Sequence, residues 1–183
     1  MNFLKKVGVY LGLFFPAAIV AGAYGAIHDQ ISYSFSPEYF THFKFIQFAI
    51  PWAQENQRLG AALVGALATW WMGVLVFAVL GLLGFIFSSP RMMAKALLRS
   101  FGIVIAVALV TGITGLLYGY MQVGESNIEE YLSWARPGVE NELQFVRVGF
   151  MHNASYIGGA TGLLAGVIYL FLAKSKSRFK KQC

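Results

Sequence analysis

Four long apolar stretches separated by polar interruptions dominate the chain, and they carry the first prediction. Val7 to Ile27, Gly60 to Phe87, Phe101 to Val123 and Phe150 to Ala173 contain no Asp, Glu, Lys or Arg. Each is about the 20 residues that a helix needs to cross a roughly 30 Å hydrocarbon core. The pattern predicts an all-α integral membrane protein with four transmembrane helices in an antiparallel bundle, and residues 1–183 forming a single membrane domain. The first stretch has features of a signal peptide, with Lys5 and Lys6 before it and Ala21-Gly22-Ala23 near its end. Its apolar run exceeds a usual signal core, so it is expected to remain as an anchor. Pro16 predicts a kink.

The interruptions predict shorter elements. In the outer segment 28–59, Ser36-Pro37-Glu38 reads as a helix start, with a serine cap, proline at the first helical position and an acid near the positive end of the dipole. A helix is expected from Pro37 toward Ile50. It is apolar around most of its circumference yet too short to span, so it should lie in the interface or cap the bundle. Pro51 reads as the start of the second long helix, which would then protrude from the membrane through Trp52, Glu55 and Arg58. In the outer segment 124–149, short helices should break at Pro137-Gly138, with a helix from Val139 running into the fourth span. Small residues recur every fourth position, at Ala154, Gly158, Gly162 and Gly166 and at Ala61, Gly65, Thr69 and Gly73. Such stripes let helices approach closely, here within the chain in preference to a homo-oligomer seam.

Composition agrees with lipid as the solvent: 57% of residues are hydrophobic and 12% charged, about half the charged share of soluble domains. Charge then sets orientation. Lys5, Lys6, Arg91, Lys95, Arg99, Lys174, Lys176, Arg178, Lys180 and Lys181 flank one side, which places both termini, the loop 88–100 and the tail 174–183 in the cytoplasm. All eight acids fall on the other side with Lys44, Arg58, Arg136 and Arg147, giving −8 + 4 = −4 against +10. The basic balance therefore reports topology and not a nucleic-acid partner. Cys183, the single cysteine, is expected to be a cytoplasmic thiol.

The three histidines, His28, His42 and His152, all fall at the outer edge of the spans although they are far apart in sequence. Glu38 and His42 are four residues apart on the expected short helix, a spacing that puts both on one face and lets them share a metal ion. Asp29, Glu55 or Asn153 could complete the shell or orient an imidazole. Such a nitrogen and oxygen set suits a divalent transition metal, namely zinc, iron, manganese or copper. The function classes are a metal-dependent enzyme acting on a lipid or extracytoplasmic substrate, a metal sensor or delivery protein, or a non-enzymatic accessory or scaffold subunit whose aromatic outer helix meets a membrane-protein partner. Ion-coupled transport is disfavoured, because the spans lack the ionisable groups that such proteins place at depth.

The stretches His28-Asp29-Gln30-Ile31-Ser32-Tyr33, Ser36-Pro37-Glu38-Tyr39-Phe40-Thr41 and Met151-His152-Asn153-Ala154-Ser155-Tyr156 resemble a pattern of small, uncharacterised bacterial inner-membrane proteins. The resemblance implies a bacterial inner membrane and implies no reaction.

Overall fold

The computed structural model describes residues 2–179, all of whose regular elements are helical; Cys183 lies outside them. The long helices are α1 (Asn2–Phe35), α4 (Gln57–Gly84), α5 (Pro90–Gln122) and α6 (Glu142–Phe179). Four helices are thus long and apolar enough to cross a membrane. Between α1 and α4, the short helices α2 (Pro37–Tyr39) and α3 (Phe45–Gln47) flank a π-helical turn, Phe40–Lys44, and a 3-10 turn follows at Pro51–Gln54. A second 3-10 segment, Ile128–Trp134, precedes α6.

Several boundaries differ from the sequence reading. Helix α1 continues to Phe35, so His28 and Asp29 lie within it and do not close it. Ser36 does cap the next helix, its hydroxyl accepting the Tyr39 N–H at 3.2 Å. That helix ends before Ala49, whose positive φ of 53° breaks the path. Pro51 opens only the 3-10 turn. The true cap of α4 is Asn56, whose side-chain oxygen accepts the Leu59 N–H at 3.3 Å. Helix α6 starts at Glu142, three residues after the expected Val139, because Gly138 adopts φ 83° and the chain straightens there.

Helix α1 packs along α4, and α5 along α6. Along the first pair, Lys6 meets Phe85, Ala21 meets Thr69 and Gln30 meets Arg58, rising numbers on one helix matching falling numbers on the other. The small-residue stripes make these contacts. A Cβ at Gly25 would overlap the Gly65 carbonyl, and one at Gly158 would overlap Thr111 and the α5 backbone. The closeness brings polar groups into reach: Thr69 Oγ1 donates to the Ala21 carbonyl at 2.7 Å, and Ser100 Oγ to that of Gly166 at 2.8 Å.

The two ends of the molecule differ in chemistry. At the basic end, Lys6 Nζ donates to the Phe85 carbonyl at 3.0 Å and Lys174 Nζ to that of Ile86, so cations satisfy carbonyls of the turn that follows α4, near the negative end of its dipole. At the acidic end the short segment folds back over the helices as a cap. Phe40 and Phe45 are fully buried there with Val64, Leu116, Phe145 and Met151. Burial of an aromatic ring is worth about 1.5–3 kcal/mol, which explains why this apolar segment covers the bundle and leaves few rings outside.

Candidate functional site

The site is built on α1 and α6 beneath that cap. Spacing of 28, 29 and 32 puts His28, Asp29 and Ser32 on the inward face of α1, and all three are buried. Across from them α6 supplies His152 and Ser155. His28 Nδ1 lies 2.9 Å from Asp29 Oδ1, and His28 Nε2 lies 2.8 Å from Ser155 Oγ. Ser155 Oγ donates in turn to the Met151 carbonyl at 3.0 Å. The His152 ring meets the His28 ring edge to face at 5.0 Å, with its Nε2 3.9 Å from Asp29 Oδ1 and 3.3 Å from Ser32 Oγ. One donor atom from each of His28, Asp29 and His152 lies within 4.8 Å of the others.

The cap holds the site from above. Tyr39 stacks on the His152 imidazole at 4.7 Å and 22°, and Phe40 meets it edge on at 6.2 Å. The extra residue per turn in the π segment carries Lys44 inward, where it is buried. Its Nζ donates to Gln47 Oε1 at 3.0 Å and sits 4.7 Å from the Phe43 ring centre. Burial pushes the Lys44 amine below the ordinary lysine range, with Asp29 pulling the other way. Burial likewise pushes the Tyr39 hydroxyl well above its usual range.

Of the residues nominated from sequence, His28, Asp29 and His152 come together, and Glu38, His42, Glu55 and Asn153 do not join them. Glu38 is used elsewhere: its Oε1 accepts the Glu140 N–H and its Oε2 that of Asn141, both at 2.8 Å. It therefore anchors the start of α6, where a helix leaves N–H groups unpaired and favours negative charge. The His42 ring packs beside Gly138, and its Nδ1 lies 3.1 Å from Thr41 Oγ1. The i, i+4 spacing that paired Glu38 with His42 presumes α-helical pitch, and the π turn between them changes it. Glu55 and Asn153 are exposed.

Sequence reasoning missed Ser32, Ser155, Tyr39 and Lys44. A signal for Lys44 existed, since it is a lone cation between Phe43 and Phe45 in an aromatic run. Ser32 and Ser155 stand four and three residues from His28 and His152, spacings that share a helix face.

Beside this group opens a cleft of about 800 Å³, counting the space at its mouth. It runs between the α1–α4 pair and the α5–α6 pair, past Thr69, Met72 and Val76 on one side and Val104, Ile105 and Gly159 on the other. No protein-family profile, curated protein or solved structure matches the chain.

Proposed function

We propose that the chain is a polytopic membrane protein, its four long helices inserted as an antiparallel bundle, whose His28–Asp29–His152 group binds a divalent transition metal for a reaction on a membrane-borne substrate. The observation that carries the metal reading is the buried convergence of two imidazoles and a carboxylate within 4.8 Å. In a tetrahedral site with ligand bonds of about 2.0–2.2 Å, donor atoms stand roughly 3.4 Å apart. The distances of 2.9 and 3.9 Å to Asp29 Oδ1 bracket that value. His28 also has the support that a ligating imidazole needs: if Nδ1 holds the metal, Nε2–H donates to Ser155, which donates onward to Met151.

Three protein donors leave a fourth position for water or substrate, the arrangement of catalytic metal sites as opposed to closed structural ones. A bound ion would act there as a Lewis acid and lower the pKa of its water. The imidazole and carboxylate donors suit zinc, iron, manganese or copper. Sensing or delivery of the metal would use the same donors, and turnover of a substrate separates enzyme from carrier. An accessory or scaffold role has weaker support, because Tyr39, Phe40 and Phe45, the rings expected to meet a partner, are packed against the bundle.

The reading puts the acidic end outside a bacterial inner membrane and the basic end in the cytoplasm. A thiol reagent that cannot cross membranes should then label Cys183 only after cells are broken; labelling of intact spheroplasts refutes the orientation. For the metal, elemental analysis of protein purified in mild detergent should give near-stoichiometric zinc, iron, manganese or copper. Asp29→Asn and His152→Ala should lose it while His42→Ala retains it. Metal-free protein, or equal loss in all three variants, overturns the assignment.

A further inference from the structure

The cleft and the metal group are continuous, since His28, Asp29, Lys44, His152 and Ser155 form the polar end of a cavity whose remaining wall is mostly apolar. We infer that this cleft binds the hydrocarbon chain of a single-tailed lipid whose anionic oxygen head reaches the His28–Asp29–His152 group.

Shape and chemistry point the same way. On α4 the lining runs from Val64 to Val76, so the cleft extends about 18 Å along the helix at 1.5 Å per residue. It is therefore an elongated, mostly apolar slot with its imidazoles, carboxylate and amine gathered at one end, the shape of an amphiphile and not of a compact polar metabolite.

The head group follows from the charges, and this part rests on the metal reading. A divalent ion and the Lys44 ammonium bring three positive charges to the polar end, against one negative charge from Asp29. A head with anionic oxygen would offset that excess and fill the fourth metal position. Lys44 has three N–H donors, and Gln47 accepts from one of them. The Tyr24 hydroxyl also lines the cleft, its oxygen buried without a hydrogen-bond partner among the described residues. Carboxylates and phosphates share this acceptor chemistry, and a membrane supplies both.

The test uses the full chain in detergent with a C16 fatty acid that carries a diazirine in its tail. After irradiation, mass spectrometry should map adducts to peptides holding Met72, Val76, Ile105 or Gly159. Gly159→Leu should cut that labelling at least fivefold with metal content unchanged, because a Cβ there meets only Met72 Cε at 3.8 Å and the longer side chain fills the slot. Ala68→Leu plugs the opposite wall and serves if the first variant does not fold. Gly102→Leu, on an exposed face with nothing within 4 Å of its Cβ position, should label as wild type does. The methyl ester of the probe should label at least fivefold less than the acid, and hexadecyl phosphate should compete if the head site takes any anionic oxygen.

Adducts spread evenly over outward faces, or labelling unchanged by both plugging variants, overturn the chain site. An ester that labels as well as the acid overturns the anionic head. Selective cleft labelling by both acid and ester, in protein free of metal, would refute the metal reading and leave the tail site standing, so the two failures are distinguishable.

Discussion

Glu38→Gln separates a helix anchor from a metal ligand, because the two roles demand opposite results. The carboxylate accepts two backbone N–H groups, Glu140 on one oxygen and Asn141 on the other, both at 2.8 Å. Glutamine keeps the shape but has one acceptor oxygen, so its amide group faces an N–H donor and one of those bonds is lost. An orphaned donor costs about 1–3 kcal/mol when buried. Here the bonds sit at an exposed rim where water can take the freed N–H, so the low end, about 1 kcal/mol, applies. Loss of negative charge at a helix start adds about 0.3–1 kcal/mol. A total of about 1–2 kcal/mol makes local opening roughly five- to thirtyfold more frequent. Amide hydrogen exchange over residues 139–146 should accelerate by that factor. Metal content should not change, because His152 lies ten residues beyond Glu142, about 15 Å along α6. Unchanged exchange together with lost metal would show that Glu38 is a ligand and refute the argument.

Three further outcomes follow from the packing and the site. Gly65→Ala places a methyl group against the Gly25 backbone, and overpacking of that kind costs about 1–3 kcal/mol; thermal denaturation in detergent should show the loss, with Gly102→Ala as a silent control. Ser155→Ala removes the acceptor that orients His28, so metal affinity should fall about 10–100-fold in a chelator competition while the melting temperature moves little. Lys44 has a folded pKa below its unfolded value of about 10.4, so between the two the unfolded chain holds the extra proton and stability rises with pH. Melting temperature should therefore climb more steeply toward pH 10 in the wild type than in Lys44→Met, and parallel curves would contradict the burial of this amine.

The long helices were legible because an uncharged apolar run of about 20 residues that must pair its own backbone has few options besides a helix. The pairing of His28 with His152 was legible for a related reason, since His28 follows the first apolar run and His152 opens the last, both at boundaries with the acid-bearing segments. Glu38 misled because its partners, the amides of Glu140 and Asn141, are more than a hundred residues away, and nothing local announces them. The inward facing of Lys44 was hidden by the π turn, a departure from α-helical pitch that shifts the facing of everything around it and has no clear sequence signature. The outer segment was read as interface or cap because its rings surround the helix. Only packing against Val64, Leu116 and Met151 decides between the two.

The division of the molecule into two helix pairs means that neither half owns the site. Asp29 and His28 belong to the first hairpin, His152 and Ser155 to the second, and the covalent connection between the two is the short link from Gly84 to Pro90. Coordination would thus act as a latch across a joint: a metal gripping both hairpins would resist their parting, and any sliding of one on the other would change the ion's surroundings. Whatever entered the cleft would do so by wedging that joint, so occupancy, hairpin spacing and metal geometry would vary together.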